Sequence, residues 1–406
     1  MTPKTLQQIH SNLSTLRGDN PAFVGGNTLK GRAAVGRGGG VGRWWSAATL
    51  AGLLALIGQF IAPSASAQTI YYWDCNTNTA GFGAAQGTWS ATTAPGATQG
   101  WSTSAAGNIG LGSVLTALTD TSENFGNSSN GLTAGAVTIS GAVSAGTNLV
   151  FGAASGAITL AGGTSITLPA TATISVNNTK DIISTPLAGA ASLLTLSAGN
   201  LVISNTALPA STYNIANGAI LELTATTVNP LSAGVTFTNS GTLKLDGGSN
   251  GVINFSASAT VNMQLAAGGL VQVSSNTTVT GSSGYHGIWS ANHSSLTVDS
   301  GSVLNFVETG SNTAGAAAQF DGLNGGGVIS MGYLTYRTLS LGNNNGNGAY
   351  SGAINDANTG NGSTTAVVKN GTGTQILSGN SGFTAGTTIN NGVLEADSNT
   401  ALGGGW

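Results

Sequence analysis

Residues 218–223 read GAILEL, residues 241–245 read GTLKL and residues 269–273 read GLVQV. In all three segments a glycine comes before a short run in which apolar and polar residues alternate. Period-two alternation puts the apolar side chains on one face of a strand and the polar ones on the other. The apolar set is Leu221, Leu223, Leu243, Leu245, Val271 and Val273, and the polar set is Glu222, Lys244 and Gln272. The pattern predicts β-strands that are buried on one face and wet on the other.

The pattern recurs as GNLVI at 199–203, GSVLNF at 301–306 and GVLEA at 392–396. The sequence separations between glycines 199, 218, 241, 269 and 301 are 19, 23, 28 and 32. Such a drifting spacing is typical of a parallel β-helix in which each coil keeps its strands and lengthens one loop. With about 20 to 25 residues per coil and about 4.8 Å of rise, the chain after residue 67 predicts on the order of 14 coils and a rod of roughly 65 Å.

We therefore predict an all-β chain folded as a right-handed parallel β-helix, or β-solenoid, preceded by a helical signal peptide. Helix signals are nearly absent after residue 67, because β-branched residues are dense and glycine interrupts almost every window long enough for a helix. Asn and Thr side chains at the turns are expected to form hydrogen-bonded ladders. The rival fold is a β-sandwich, which would show hairpin turns roughly every 8 to 12 residues with antiparallel pairing.

The last part of the chain, residues 367–405, reads VVKNGTGTQILSGNSGFTAGTTINNGVLEADSNTALGGG. In residue order and spacing it resembles the autotransporter-associated beta strand repeat, also called the passenger-associated transport repeat. Two departures are mild: Ala385 stands where the repeat has a glycine, and Phe383 stands where it has Tyr. The matching motif positions are Lys369, Gly371, Gly373, Leu377, Ser378, Gly379, Asn380, Thr384, Gly386, Thr387, Gly392, Leu394, Leu402 and Gly403.

This resemblance implies the passenger of a Gram-negative autotransporter. Such a passenger crosses the inner membrane by the secretion machinery, crosses the outer membrane with a C-terminal β-barrel and the outer-membrane assembly machinery, and is displayed at the cell surface or released. The implied role is structural or adhesive, without catalysis, with surface glycans or host cells as targets. No succession of ten-residue amphipathic strands follows Leu402, so we expect a chain truncated before its barrel.

The first 67 residues predict a secretory signal peptide with an extended basic n-region. They hold six of the ten basic residues, then an apolar run at 44–62. Ala65 and Ala67 form a small-residue site, so cleavage is expected before Gln68. The alternative is a transmembrane anchor, since the run at 44–62 is just long enough to span a bilayer. Glycines and Gln59 within the apolar run favour the signal peptide.

Composition excludes several classes of protein. Of 406 residues 64 are Gly, and 6% are charged, against about 25% in ordinary globular domains. After residue 67 four basic residues face twelve acidic ones, a formal charge of 4 − 12 = −8. This surface has no electrostatic footprint for nucleic acid. With Cys75 the single cysteine, no intrachain disulfide can form, and stability must come from backbone pairing and stacking.

Aromatic residues are concentrated in residues 68–104, where the sequence runs YYWD, GTWS and GWS. A solenoid exposes an open sheet edge at its first coil, so we predict that this segment is an N-terminal cap. A platform for sugars is the weaker alternative. Residues 105–366 then form the β-helical passenger, and residues 367–406 form the repeat. The aromatic residues of the predicted cap are Tyr71, Tyr72, Trp73, Phe82, Trp89 and Trp101.

Candidate chemistry is sparse. Glu395 and Asp397 are two positions apart and share a face, so they are the best candidate acid pair for the alternative function, a β-helical polysaccharide-degrading enzyme. Solvated, outward charges are the simpler expectation for the acids. A third alternative is an ice-binding Thr array, prompted by Thr171 and Thr173.

Residues 285–293 read YHGIWSANH. His286 and His293 lack a nearby carboxylate or thiol, and a metal site needs three or four ligands. We therefore predict a protruding ligand-contact loop made by Tyr285, His286, Trp289 and His293. No catalytic residue, metal or cofactor is expected.

Overall fold

The computed structural model describes residues 68–90, 100–109, 121–189, 193–204, 208–209, 211–224, 234–255, 260–281, 286–306, 316–331, 336–357 and 364–404. These residues belong to the compact unit Ala67–Trp406. They form β-strands, one short 3₁₀-helix at Gly248–Asn250 and no α-helix. The all-β prediction is confirmed for the described residues. The predicted leader helix lies outside them.

The strands of the first half, numbered along the chain, are short and closely spaced. They are β1 Thr69–Asp74, β2 Thr88–Ser90, β3 Gly100–Ser102, β4 Thr121–Phe125, β5 Gly135–Ser140, β6 Ala142–Ser144, β7 Asn148–Phe151, β8 Ile158–Gly162, β9 Ser165–Thr167, β10 Thr171–Val176, β11 Asp181–Ile183, β12 Leu187–Ala188, β13 Leu193–Ala198, β14 Asn200–Ser204, β15 Thr212–Ile215, β16 Ile220–Thr224 and β17 Thr236–Asn239.

The second half continues in the same way. Its strands are β18 Thr242–Asp246, β19 Val252–Phe255, β20 Thr260–Leu265, β21 Leu270–Val273, β22 Thr278–Gly281, β23 His286–Ile288, β24 Ser295–Val298, β25 Val303–Asn305, β26 Ala316–Phe320, β27 Leu323–Gly325, β28 Val328–Met331, β29 Tyr336–Leu341, β30 Gly348–Tyr350, β31 Ala353–Asp356, β32 Ala366–Lys369, β33 Thr374–Leu377, β34 Thr387–Ile389 and β35 Val393–Ala396.

These strands form stacked coils. The long sheet has thirteen strands in the order β2-β5-β8-β11-β14-β16-β18-β21-β24-β27-β30-β33-β35. A ten-stranded sheet (β23-β20-β17-β15-β13-β10-β7-β4-β1-β3) and a four-stranded sheet (β26-β29-β32-β34) take other strands of the coils. A three-stranded sheet (β12-β9-β6) and a five-stranded sheet (β19-β22-β25-β28-β31) supply a third side to many coils. At about 4.8 Å per strand, the thirteen strands of the long sheet span roughly 58 Å.

The pairing is that of a parallel β-solenoid. Within the described ranges every strand pair is parallel except β1 with β3. Leu201 pairs with Leu221, Leu221 with Leu243, and Leu243 with Val271, which are sequence separations of 20, 22 and 28. This register confirms the coil prediction and excludes the sandwich, whose neighbours would be antiparallel hairpins. Handedness stays a prediction.

One glycine of the predicted series, Gly301, does not precede a strand of the long sheet. Gly301 leads into β25, which belongs to the five-stranded sheet, whereas β21 is followed in the long sheet by β24. The sequence separation there is 25, from Val271 to Leu296, and not 32. The prediction was wrong because buried Ser294, instead of a glycine, precedes β24. At Gly241, by contrast, an added Cβ would lie 2.4 Å from a side-chain carbon of Ile215 on the coil beneath, so only glycine fits.

The core is a column of aliphatic side chains inside the coils. Leu221, Leu223, Leu243, Leu245, Val271 and Val273 are each at most 3% exposed, as the alternation predicts. The outer face is half-buried at Lys244 and Gln272. Glu222 departs from the prediction of a wet face, since it is 4% exposed.

The N-terminal end is filled by aromatic rings. Trp101 lies edge-on to Trp73 and Trp89, with ring centroids 5.1 and 5.2 Å apart, and also contacts Phe125 at 5.5 Å. All four residues are buried. Strand β3 pairs antiparallel with β1 at the edge of the ten-stranded sheet. The antiparallel strand β3 and the four packed aromatic rings both cover the sheet edge next to β1, where the parallel pairing begins. This arrangement supports the predicted N-terminal cap.

Candidate functional site: the C-terminal repeat

The repeat forms the two most C-terminal coils that the structure describes. Strands β32 and β33 form one coil, and β34 and β35 lie on them in parallel register, with Val367 opposite Thr387 and Gln375 opposite Leu394. The sequence separation between the paired residues Thr374 and Val393 is 19. This is the shortest separation between paired residues in the described part of the long sheet, so the last coil has little room for loops.

The motif glycines are needed because coils approach closely at their turns. An added Cβ would lie 1.9 Å from the Gly352 carbonyl oxygen at Gly379, 2.3 Å from the Gly346 oxygen at Gly373, and 2.4 Å from the Gly371 oxygen at Gly392. Gly392 also has a φ of +72°, a left-handed conformation that favours glycine. The repeat's glycines are therefore explained by backbone-to-backbone contact between successive coils.

Lys369 is the first residue of the motif, and its side chain lies inside the solenoid. The residue is fully buried at the end of β32. Its Nζ donates to the carbonyl oxygens of Asn370, Gly371 (3.0 Å) and Asn391 (3.5 Å). Burial lowers the pKa of Lys369, and the charge of Asp321 acts in the opposite direction. The ammonium thus joins the turn of one repeat coil to the turn of the next.

Gln375 replaces a missing stretch of strand pairing. Its Oε1 accepts from the Leu323 amide at 3.0 Å and its Nε2 donates to the Leu323 carbonyl at 2.9 Å. Leu323 lies two coils away in the long sheet, past β30, and Gly348 in between has no side chain to block the amide. The buried Gln375 amide therefore acts as a backbone group across a gap in the sheet.

Asn side chains form the predicted ladders. Asn390 donates to Asn370 at 2.8 Å, and Asn370 donates to the Ser340 hydroxyl at 2.8 Å, so the chain of bonds crosses three coils. A second rung joins the Thr400 hydroxyl to Asn380 at 2.7 Å. These ladders confirm the prediction for this region and explain the motif asparagine.

The end of the repeat folds back over a buried ring. Phe383 and Ala401 are fully buried. Gly404 donates its amide to the Phe383 carbonyl at 3.0 Å, and Gly403 takes a φ of +71° where a Cβ would lie 2.2 Å from the same oxygen. The ALGG ending of the motif is therefore a turn packed on the aromatic residue of the repeat.

Among the described residues, Glu123 and Asp181 lie on the inner face of the solenoid, against the expectation that the acids point outward. Glu123 sits in register between Tyr71 and Leu149 and is fully buried. It accepts from the Thr121 hydroxyl (2.8 Å) and the Gly146 amide (2.7 Å). Burial raises its pKa to about 7. The carboxyl is therefore stable inside the fold mainly when it is neutral.

Asp181 occupies an aliphatic column, opposite Leu201. Its Oδ1 accepts from the Ile158 amide (2.7 Å) and from Asn178 (3.1 Å), while its buried Oδ2 has no protein partner. Burial raises the pKa of Asp181 to about 6. The sequence marks this position, because alternation in the segment DII places Asp181 on the same strand face as buried Ile183.

The outer face carries one charge cluster among the described residues. Glu222 pairs with Lys180 at 3.0 Å and with Lys244 at 3.3 Å, and Lys244 also lies 3.7 Å from Asp246. Burial raises the pKa of Glu222, but the hydrogen bond from Lys180 and the charge of Lys244 outweigh it, so the net pKa is lowered. The two lysines cover Glu222, which explains its burial on a face predicted to be wet.

The predicted ligand-contact loop is brought together only in part. Trp289 is buried, and its ring packs on Phe306 and Phe320 at 5.4 and 5.5 Å. His293 is exposed. Tyr285 lies outside the described residues, and the backbone of His286 belongs to β23. Ligand contact by this loop stays a prediction, with His293 as its exposed described member.

Glu395 and Asp397 are both exposed on the last coil. Among the described residues no group of three or more His, Cys, Asp or Glu is placed to hold a metal ion. In the same ranges no helix has the length and apolarity needed to cross a membrane. The candidate span at 44–62 and the cleavage residues Ala65 and Ala67 lie outside these ranges.

Comparison with protein families agrees with the motif. Residues 367–396 match the family described as passenger-associated-transport-repeat. The resemblance seen in the sequence is thereby confirmed for these residues. Searches of curated proteins and of solved structures found no match.

Proposed function

We propose that this chain, which carries a passenger-associated transport repeat on a parallel β-solenoid, is an exported autotransporter passenger with a structural or adhesive role and no catalytic activity. The observation that carries the proposal is the repeat itself: its motif residues Lys369, Gly379 and Gly392 are the groups that lock the last coils together. Fold and repeat fit an autotransporter passenger. Export to the cell surface, the membrane machineries as partners and adhesion are the proposed steps beyond that.

Gln68 supports the proposed leader boundary. Its Nε2 donates to the Thr121 carbonyl (3.0 Å) and to the Thr147 hydroxyl (2.8 Å), and its Oε1 accepts from Asn148 at 2.8 Å. The first residue of the proposed exported part is thus already bound to the coils.

The proposal is tested by display. The full chain, joined after Trp406 to the barrel of a working autotransporter, is expressed in a Gram-negative host. We expect protease added to intact cells to digest it, and the exported protein to begin at Gln68. A matched Ala67→Asp variant should keep its leader. If the chain stays protected from the added protease although the barrel is inserted in the outer membrane, the proposal is refuted.

Adhesion and catalysis are separated by two further assays. Cells that display the chain should bind to solid or cellular surfaces more than cells that display the barrel alone. No reducing sugar should be released from common polysaccharides. If sugar is released, and Glu395→Ala or Asp397→Ala abolishes the release, the non-enzymatic role is wrong.

A further inference from the structure

An open cleft lies beside the N-terminal end of the ten-stranded sheet. Its volume is about 440 Å³, within the range of roughly 300 to 1,000 Å³ of small-molecule sites. Tyr72, Ala105 and Ala106 form one side, and the turn at residues 127–130 forms the other. None of the described residues that line it is charged. The cleft therefore favours an uncharged ligand.

Tyr72 is the aromatic residue in the lining of the cleft. The register places it opposite Asn124, which pairs with Val150, on the outer face of the sheet. Its ring stacks on buried Phe82, with centroids 5.3 Å apart and planes 11° apart, and 9% of the residue stays exposed. Trp73, Trp89 and Trp101 fill the interior instead. Tyr72 therefore contributes only a small exposed part of an amphipathic side chain to the cleft, which allows contact with a ligand that has both C–H and hydroxyl groups.

The opposite side is a turn with preset amide groups. Asn127 and Asn130 each donate one amide hydrogen to the Ala105 carbonyl, at 2.8 and 3.1 Å. Because a side-chain amide has two N–H donors, each keeps a second donor for a ligand. The Asn127 Oδ1 accepts from the Ser129 and Asn130 amides, both at 2.8 Å. The hydroxyls of Ser128 and Ser129 lie on exposed residues.

Both sides are held before any ligand arrives. The Gly81 amide donates to the Ala106 carbonyl at 2.7 Å, and the Ala154 amide donates to the Asn127 carbonyl at 3.0 Å. The second bond ties the turn to the next coil. A binder that is ordered in advance loses less conformational entropy on binding.

We propose that this cleft is a binding site for a neutral glycan, with the sugar hydroxyls on the amides and hydroxyls of residues 127–130 and the edge of the sugar in contact with the exposed part of Tyr72. This inference rests on the proposed adhesive function, for which it supplies a ligand class and a place. An acidic glycan is disfavoured because the described lining offers no cation.

The test uses the purified full chain with maltohexaose and cellohexaose as neutral probes and an oligogalacturonate as the acidic probe. Saturation-transfer NMR and calorimetric titration measure binding. We expect at least one neutral probe to bind in the micromolar to millimolar range and the acidic probe to bind at least tenfold more weakly.

Ser129→Trp should fill the cleft from an exposed position and weaken binding at least tenfold. Tyr72→Leu should do the same if circular dichroism shows an intact fold. Asn399→Trp, on an exposed turn at the other end of the solenoid, should bind as the wild type does. The inference is overturned if neither neutral probe binds, if the acidic probe binds best, or if Ser129→Trp leaves affinity unchanged.

The proposed passenger function and the proposed glycan site can each fail without the other. A chain that reaches the cell surface but ignores both neutral probes contradicts the glycan site alone. A chain that binds a neutral probe but is never exported contradicts the proposed passenger function alone.

Discussion

Glu123→Gln should remove a pH-dependent loss of stability. The group has a pKa of about 7 in the fold and 4.5 as its ordinary value. Its folded-state pKa is raised, so its contribution to stability is fully present below pH 4.5 and is lost as the pH rises through 7. The difference corresponds to about 3 kcal/mol, which the charged form costs above pH 7. The amide introduced by Glu123→Gln would keep both hydrogen bonds, accepting from Gly146 and donating to Thr121.

The assay is hydrogen exchange of residues 121–151 between pH 4.5 and 8, with rates corrected for the chemical effect of pH. Exchange reports local opening, which suits a solenoid whose coils can open in part. Wild-type protection should fall relative to Glu123→Gln as the pH rises. Exposed Glu395→Gln is the matched control and should follow the wild type. If Glu123→Gln and the wild type keep the same pH profile, the carboxyl is not buried as described.

Three further changes have defined outcomes. Gln375→Leu leaves the Leu323 amide and carbonyl without their hydrogen-bond partner. The free energy of unfolding should fall by about 1 to 3 kcal/mol for each unpaired group, as measured by denaturant unfolding. An unchanged midpoint would show that water replaces the Gln375 amide. Gly379→Ala should lower the melting temperature, because the added Cβ would lie 1.9 Å from a carbonyl oxygen. Gly404→Ala, whose Cβ would have no atom within 4 Å, should change the free energy of unfolding by less than about 0.5 kcal/mol. Equal effects of the two substitutions would contradict the packing of the last coils. Glu222→Gln should destabilise the protein by up to about 1 kcal/mol at pH 7 and by less as the pH falls below 4.5. The reason is that the pKa of Glu222 is lowered in the folded state, so the stability that its charge contributes is lost on acidification. A destabilisation by Glu222→Gln that grows on acidification would contradict the ion pairs.

The repetitive part of the fold was predictable from sequence. Alternation around Leu221, Leu243 and Val271 depends on local geometry, so it identified the buried face correctly. Spacing of glycines was a poorer guide, because a coil can begin with Ser294 as well as with a glycine. The motif marked Lys369 but not its burial, which depends on the turn carbonyls that its ammonium group binds.

Properties that depend on contacts between distant residues could not be read from the chain. The bond from Gln375 to Leu323 crosses two coils, and the cleft joins Tyr72 to a turn that lies one coil further along the chain. No local pattern marks such pairs. The buried position of Asp181, by contrast, was visible in its alternation and was missed because an acid was assumed to face water.

The central claim is that the coils lie parallel in one column, and a distance between spin labels tests it most directly. In a Cys75→Ser background, labels at Thr159 and Glu395 are separated by ten strand spacings of the long sheet, and labels at Thr159 and Lys244 by four. At about 4.8 Å per strand the distances should be about 48 Å and about 19 Å, broadened by the label arms. A distance for the first pair near that of the second, as in a sheet folded back on itself, would contradict the solenoid.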